Sequence, residues 1–324
     1  MTVLVRKDSR WCRLADVDGR HAAKCGCPAP RPELRCSGAD RRDSAGDTGR
    51  HVERVLARPD RPRRRRPAQL QRAHPAPAAL RRARPGGPGR RAPAQFEVEV
   101  ARRLAEVGSP VAALESPEVL ARDDHVVTFW TYYEPVPTPP IPDRDYAGAL
   151  ERLHAGMRVI DLATPRFTDR VSAAQTLVAD HTRTPQLADA DRLLLASTLS
   201  RMREAVSGSG RPEQLLHGEP HPGNLLSTRT GPLFIDFETC CRGPIEFDLA
   251  HAPPGVGDHY PDVDPQVLRD SRVLVLAMVT AWRWDRDDQF PDGRRLGIEW
   301  LSRLREAVAD PDVFDESATT GRAP

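Results

Sequence analysis

Two stretches decide the fold of this 324-residue chain: HGEPHPGNLL at residues 217–226 and PLFIDFE at residues 232–238. The first supplies a carboxylate at Glu219 and, five residues later, a neutral amide oxygen at Asn224. The second places Asp236 directly after a short apolar run of the kind that forms buried strands. Mg²⁺ prefers a few hard oxygen ligands and keeps some of its waters, which suits one Asn and one Asp. The two stretches therefore predict a magnesium site with a further carboxylate beside it.

These side chains are the parts that phosphoryl transfer requires. That reaction needs in-line positioning, a metal ion bridging the phosphates and a group that orients the attacking hydroxyl. We predict that Glu219, Asn224 and Asp236 are catalytic, with Glu219 as the base and the other two as metal ligands. Glu238 is either an additional metal ligand or a side chain that supports the ligands from outside.

The pattern H-x-[D/E]-x-x-x-x-N followed by I-D-F-E resembles the aminoglycoside phosphotransferase and choline kinase-like branch of the protein-kinase fold. The resemblance covers roughly residues 96–310 and includes EVEVARRLAEVGSPVAAL (97–114), VVTFWTYYE (126–134), YAGALERLHAGM (146–157) and GPIEFDLAHA (243–252). It implies an α+β protein-kinase-like fold with a mainly helical C-terminal lobe. It also implies ATP and Mg²⁺ as cofactors, and a small molecule with a hydroxyl group as the phosphate acceptor.

The resemblance assigns roles to further positions. The connector between the lobes would be residues 129–134, so that Trp130, Thr131 and Tyr132 lie against an adenine ring; the alternative is an ordinary edge strand. Glu99, or failing that Glu97, would be the helix acid that pairs with a lysine. His221 would reach a phosphate or the metal, or else pack the loop.

Three more positions complete the comparison with the family. We expect His217 to fix the loop by a hydrogen bond and Asp248 to brace the catalytic loop as a buried acid. Glu219 stands where the family usually has Asp. The extra methylene displaces the carboxylate by about an ångström, an error that can cost much of the rate unless the loop compensates.

The N-terminal segment differs sharply from the rest. Residues 1–95 hold 24 Lys and Arg against 9 Asp and Glu, whereas residues 96–324 hold 24 against 37. Trp11 is the only aromatic residue before Phe96. So few large apolar side chains cannot offset the entropy of ordering the chain. We therefore expect no packed domain and no kinase-like five-stranded sheet in residues 1–95, and hence an incomplete N-terminal lobe.

Three interpretations of residues 1–95 remain: a basic arm for nucleic acid or membranes, a solvated tail, or out-of-frame translation of a GC-rich gene. The lack of interleaved aromatic residues disfavours nucleic-acid binding. The expected organisation is then an aberrant segment (1–95), a remnant of the N-terminal lobe with the hinge (96–135), a helical phosphotransferase lobe (136–310) and a tail (311–324).

The phosphate-handling parts are incomplete in the sequence. Lys7 and Lys24 are the only lysines, and neither lies where the family's phosphate-binding lysine is expected. The alternative to an active enzyme is therefore a catalytically impaired, nucleotide- or ligand-binding remnant.

The remaining composition favours a cytoplasmic protein. No secretory signal is visible, and the most apolar run, residues 273–279, is too short to span a bilayer. Cys240 and Cys241 read as reduced packing thiols, and a zinc site built from Cys12, Cys25, Cys27 and Cys36 with His21 is a weak alternative because C-x-C lacks the usual spacing. Acids near the C-terminus would suit a cationic acceptor or simply face solvent: Asp285, Asp287, Asp288 and Asp292.

Periodicity predicts the main elements. Phe96, Val100, Leu104 and Val107 recur at helical spacing with Gly108 as the C-cap. Strands are predicted over residues 126–132 and 232–237, and further helices over residues 143–157, 188–206, 265–284 and 294–308.

Overall fold

A computed structural model describes residues 3–7, 10–14, 79–85, 91–122, 125–134 and 140–309. The predicted tail at residues 311–324 lies outside these residues, as do residues 15–78. The proposed zinc ligands Cys25, Cys27, Cys36 and His21 lie there too, so that site is not tested.

The first three strands of the described chain join one five-stranded sheet. β1 (Val3–Lys7) pairs antiparallel with β2 (Arg10–Leu14) and parallel with β3 (Ala79–Pro85). β4 (Leu114–Arg122) and β5 (His125–Thr131) complete the sheet in the order β2-β1-β3-β5-β4. β3 pairs with β5 along its whole length, from Ala79 opposite Thr131 to Pro85 opposite His125.

Residues 1–95 supply three strands of this five-stranded sheet, which corrects the expectation that they have no part in such a sheet. Composition predicted too little apolar surface for a packed domain, but strands pair through backbone groups, and β3 gains its partner from the later strand β5. Helix α1 (Arg91–Glu106) also begins ahead of Phe96, where the orderly segment was expected to start.

Helix α1 packs against the sheet with a different set of side chains from the one predicted. Val100 and Leu104 are fully buried, as expected, and Val98 and Ala101 join them. Val107 lies beyond the helix end and is 45% exposed, which corrects its place in the apolar stripe. Gly108 has a φ of 74° and its N–H donates to the Ala105 carbonyl, in keeping with its predicted C-cap role.

The C-terminal part is mainly helical. Its helices are α2 (Asp143–Val159), α3 (Phe167–Ala179), α4 (Asp189–Ser207), α5 (Ile245–Leu249), α6 (Pro265–Trp282) and α7 (Gly293–Ala309). Four short strands form two pairs: β6 (Gln214–Leu216) with β9 (Cys241–Gly243), and β7 (Leu225–Thr228) with β8 (Gly231–Phe234). A sheet followed by a mainly helical C-terminal part is the α+β architecture that the sequence predicted.

Two apolar clusters stabilise the described residues. One joins α3, α4, α6 and α7, with Phe167, Leu199 and Leu274 fully buried. The other joins α1 and β5 to α2 and β8, and includes Leu104 and Phe234. The backbone of residues 110–112 also bonds to β8, because Phe234 N–H donates to the Pro110 carbonyl and Ala112 N–H to the Phe234 carbonyl. Helix α1 and the segment after it therefore pack in the same core as β8, the strand of the second decisive stretch.

No helix in the described part of the chain is both long enough and apolar enough for a membrane span.

Candidate active site

The loop that follows β6 is held from below by one buried carboxylate. Asp248, on α5, accepts from the backbone N–H groups of His217 and Gly218, both at 2.8 Å. Gly218 has a φ of 88°, and a Cβ added there would lie 2.1 Å from the Thr239 carbonyl oxygen, so only glycine fits. Asp248 is therefore a buried acid that holds the loop of residues 217–224, as expected from the sequence.

A histidine and a tyrosine that were not singled out from the sequence extend this brace. His154 Nε2 lies 2.9 Å from Asp248, and its Nδ1 lies 2.7 Å from the Tyr260 hydroxyl. His154 is fully buried on α2. The chain Tyr260–His154–Asp248 therefore links three elements beneath the loop. The only sequence signal was a polar residue inside the apolar stripe of α2.

His217 fixes the loop to the strand that follows. Its ring is fully buried, and its Nε2 lies 3.0 Å from the Ile235 carbonyl oxygen. Burial lowers the pKa of His217 although Asp248 and Asp236 oppose the shift, so the ring is neutral at pH 7. A neutral, fully buried ring agrees with the structural role expected for His217.

The structure brings together the segments that carry the three predicted catalytic residues. The Asn224 side-chain amide donates to the Glu219 carbonyl at 2.9 Å. The Asn224 carbonyl in turn accepts from the Ile235 N–H at 3.0 Å, and Asp236 is the next residue. Asp236 is 6% exposed and adopts a left-handed backbone, with φ 72° and ψ 60°. Such a conformation is uncommon for a non-glycine residue and is frequent at functional sites.

Asn224 also has an atom suited to a metal. Its Oδ1 is buried and has no hydrogen-bond partner among the described residues. A buried acceptor without a donor costs free energy unless something else completes it. No group of three or more His, Cys, Asp and Glu side chains that could hold a metal occurs in the described residues. A metal here would therefore rest on Asn224 and Asp236 rather than on a cage of protein ligands.

Glu219 forms an ion pair that the sequence did not reveal. Arg170, on α3, contacts Glu219 Oε1 through Nη2 and donates from Nη1 to the Gly218 carbonyl at 2.7 Å. Burial by itself would raise the pKa of Glu219, but Arg170, with His251 and His221, outweighs burial and lowers it. Glu219 is thus a carboxylate held in its ionised form.

The two candidate helix acids lie on different faces of α1. Glu99 is 36% exposed and pairs with Arg102 and Arg103 of its own helix, and the hydrogen bond from Arg102 is the first cause that lowers its pKa to about 2. Glu97 is 2% exposed, and its charge contributes to raising the pKa of Cys240, which follows the turn after Asp236. The two side chains diverge because residues two apart on a helix point about 200° apart. Which of them serves as the helix acid stays a prediction. Glu97 is the acid that faces the interior.

The residues assigned to the connector lie at the end of β5 and just beyond it. Trp130 ends the buried face of β5, and its Nε1 donates to Thr128 Oγ1 at 2.9 Å. The Thr131 N–H donates to the Ala113 carbonyl at 2.9 Å, so that peptide group is already engaged in the fold. Tyr132 follows the end of the strand. Whether these residues meet an adenine ring stays a prediction.

His221 has a local role in the loop. Its Nδ1 accepts from the Gly223 N–H at 3.0 Å and caps the 3₁₀ turn Pro222–Asn224. This contact fits the loop-packing alternative, and a contact with a cofactor stays a prediction.

His251, which interacts electrostatically with Glu219, was not singled out from the sequence. Burial lowers the pKa of His251 to about 3 although the Glu219 charge opposes the shift, so the ring is neutral at pH 7.

Cys240 and Cys241 are buried, free thiols. Burial is the first cause that raises the pKa of Cys241 to about 12, and burial likewise raises that of Cys240. Neither forms a thiolate at neutral pH, which agrees with the packing role expected from the sequence.

Solved structures with the same fold are enzymes and enzyme complexes. The choline kinase LicA from Streptococcus pneumoniae is 14% identical, with a TM-score of 0.53 over 70% of this chain and 85% of that chain. The GDP complex of wild-type aminoglycoside 2'-phosphotransferase-IIIa is 14% identical, with a TM-score of 0.51 over 67% and 83%. LicA in complex with AMP is 13% identical, with a TM-score of 0.50 over 70% and 83%. At these identities the likeness establishes the fold alone.

The sequence comparisons place the family. No curated protein matches the chain significantly. The family model described as "Phosphotransferase enzyme family" (APH) matches residues 66–272. The match begins well ahead of Phe96, within the segment that composition had set apart. Because it spans more than half of the chain and contains all three predicted catalytic residues, this protein belongs to the APH phosphotransferase enzyme family.

Proposed function

We propose that this protein transfers the γ-phosphoryl group of ATP to the hydroxyl group of a small molecule, in the presence of Mg²⁺. The observation that carries the proposal is the grouping of Glu219, Asn224 and Asp236. Asn224 bonds through its side chain to the backbone of Glu219 and through its backbone to the residue before Asp236. Membership of the phosphotransferase family supports the same chemistry.

Asn224 and Asp236 fit Mg²⁺ as ligands. The unpartnered, buried Oδ1 of Asn224 and the buried carboxylate of Asp236 are hard oxygen donors, and two protein ligands are enough for an ion that keeps waters and phosphate oxygens. When bound, the ion would neutralise charge on the phosphate oxygens. Glu238, in the 3₁₀ turn Phe237–Thr239 directly after Asp236, is the candidate for a further ligand.

A nucleotide as phosphate donor is supported by the relatives of known structure. The similar aminoglycoside phosphotransferase was solved with GDP and LicA with AMP. In this chain the proposed nucleotide contacts are the connector at Trp130, Thr131 and Tyr132, with His221 near the phosphates. Glu97 replaces Glu99 as the proposed acid of the helix, because it is the buried one.

Glu219 would orient the acceptor hydroxyl. Its lowered pKa keeps it ionised, and an ionised carboxylate accepts a hydrogen bond from the hydroxyl that attacks. A loose phosphoryl-transfer transition state demands more positioning than proton abstraction. A weak base that is firmly held therefore suits the role.

The acceptor is a small molecule with a hydroxyl group, and nothing in the C-terminal acids favours a cation. Each of the four acids considered for that role lies next to an arginine: Asp285 with Arg183, Asp287 with Arg286 at 3.8 Å, Asp288 with Arg283 at 3.3 Å, and Asp292 with Arg295 at 3.9 Å. Their charges are compensated within the protein. These acids therefore do not support a cationic acceptor.

The second candidate is a catalytically impaired remnant that still binds a ligand. The observation in its favour is the absence of any lysine after Lys24, since protein kinases carry a phosphate-pairing lysine on the third strand. Two observations weigh against the remnant. The sheet has all five strands. Its third strand has the sequence ALRRARP, so arginines 81, 82 and 84 supply positive charge on the strand that carries the lysine in protein kinases.

The two candidates differ in their response to Asp236→Asn. ADP formation by the full chain with MgATP would be measured across a panel of aminoglycosides, amino alcohols and sugars. We expect turnover with at least one acceptor, reduced by about a hundred- to a thousandfold in Asp236→Asn, because a charged metal ligand is lost. Asp287→Asn, at an exposed acid, is the matched control and should retain wild-type turnover. Equal ADP formation by the wild type and Asp236→Asn would support the remnant.

A further inference from the structure

Arg170 touches the catalytic loop at two points and is itself well enclosed. Nη1 donates to the Gly218 carbonyl, and Nη2 of the same guanidinium contacts Glu219 Oε1. The two side chains of the pair are only 14% and 24% exposed. Partly buried pairs of this kind are screened by solvent much less than surface pairs. The contact therefore fixes both the backbone and the carboxylate of the loop.

The Arg170 guanidinium also lies over an aromatic ring of the helical core. Arg170 Cζ lies 5.4 Å from the centroid of the Trp282 ring, at the end of α6. Helix α3 is in turn held by Phe167, which is fully buried and packs on Phe247 of α5 with ring centroids 5.2 Å apart. Arg170 is thus held between the catalytic loop and the helical core.

This arrangement answers the difficulty raised by a glutamate at position 219. A longer side chain has one more rotatable bond, and its carboxylate needs an external contact to stay in one place. The planar guanidinium of Arg170 supplies that contact, because it binds both the Glu219 carboxylate and the Gly218 carbonyl. An aspartate on the same backbone would withdraw its carboxylate from Arg170 by about an ångström.

We propose that Arg170 is the positioning residue for Glu219, so that the two work as one unit and the glutamate, not an aspartate, is the residue that this site requires. The proposal rests on the proposed function only for its kinetic consequence. The hold of Arg170 on the carboxylate is a property of the folded protein and can be measured without an acceptor.

Three variants test the unit: Arg170→Gln, Arg170→Lys and Glu219→Asp. With MgATP and an acceptor from the panel, we expect Arg170→Gln to lower kcat by about a hundredfold, the usual effect of misplacing a reacting group by an ångström, with KM for ATP little changed. Glu219→Asp should also lower kcat. The double variant Arg170→Gln/Glu219→Asp should be no worse than Arg170→Gln alone, because members of a unit are not additive. Arg170→Lys keeps the charge and should recover part of the loss.

The matched control is Arg305→Gln, which removes an arginine that pairs α7 with Asp191 of α4. It should keep the wild-type kcat, and thermal unfolding of all variants would establish that they are folded. A kcat of Arg170→Gln equal to that of Arg305→Gln would overturn the proposal. So would a rise in kcat for Glu219→Asp.

A crystallographic comparison separates this proposal from the proposed function. Structures of the wild type, Arg170→Gln and Arg170→Lys would be determined without nucleotide or acceptor. We expect the Glu219 carboxylate to occupy one position, in contact with Arg170, in the wild type, to leave that position in Arg170→Gln and to recover it in part in Arg170→Lys. A Glu219 carboxylate that keeps its position in Arg170→Gln would overturn the positioning role even in an active enzyme. A displaced carboxylate in a protein that phosphorylates no acceptor would refute the proposed function alone.

Discussion

Asp248 holds the candidate active-site loop in place through its hydrogen bonds. It is fully buried and satisfies the N–H groups of His217 and Gly218 while bonding to His154. Burial alone would raise the pKa of Asp248, but His154, His217 and the Gly218 N–H outweigh burial and lower it. The geometry of the loop that carries Glu219 and Asn224 therefore depends on the ionised form of the Asp248 carboxylate.

This dependence predicts an effect of pH on stability. Since the folded pKa of Asp248 lies below its ordinary value of 3.8, its contribution is complete above that value and is lost as the pH falls through the folded pKa. Asp248→Asn should lower the free energy of unfolding at pH 7 by roughly 3 kcal/mol, because two buried N–H donors lose a charged acceptor. The difference from the wild type should shrink at acid pH. Urea unfolding over a pH series measures it.

Asp287→Asn is the control, because Asp287 is 73% exposed and should change stability by less than about 0.5 kcal/mol. An Asp248→Asn variant as stable as this control at pH 7 would contradict the bracing role.

At the scale of elements, the sequence predicted those with a clean period and missed those that break a local rule. Helices α2, α4, α6 and α7 begin and end close to the predicted residues because each has a buried stripe at helical spacing. Strand β4 was missed because it contains Pro117, which is tolerated there at the sheet edge, where the register also shifts. Helix α3 was missed because its N-cap is Arg166 rather than a usual capping residue.

Helix α1 offers a matched pair of acids for a test at this scale. Glu97→Gln should lower turnover with MgATP by about a hundredfold. The reason is that the substitution removes a buried charge near the Asp236 turn, where it would act on the phosphates. Glu99→Gln should leave turnover unchanged, because it breaks only exposed pairs within one helix. Steady-state kinetics of the two variants side by side decide between them. Loss of turnover in Glu99→Gln with Glu97→Gln unaffected would reinstate the sequence-based preference.

At the scale of the whole molecule, short sequence patterns located the candidate site but did not predict its tertiary contacts or the sheet. Glu219, Asn224 and Asp236 could be found because the loop and the following strand keep them close in sequence. Arg170 could not, because it lies 49 residues before Glu219 and no pattern announces a tertiary ion pair. The sheet was missed because β3 finds its partner β5 across α1 and β4, and composition cannot report such pairing.

Helix α1 and strand β5 pack against the segment that carries Asp236. The buried cluster that contains Leu104 of α1 and Trp130 of β5 also contains Phe234 and Phe237, which lie before and after Asp236 in the sequence. An active phosphotransferase and a remnant that still binds a ligand would both keep this packing. Activity measurements therefore decide between them.

The most direct test of the central claim follows the phosphoryl group itself. The full chain would be incubated with ATP radiolabelled in the γ-phosphate, Mg²⁺ and the acceptor panel, and the label located after separation. We predict that the label appears as a phosphate ester of an acceptor hydroxyl with the wild type and is nearly absent with Asp236→Asn. Label that stays on ATP, or reaches only water, with every acceptor in the wild type would contradict the phosphotransferase account.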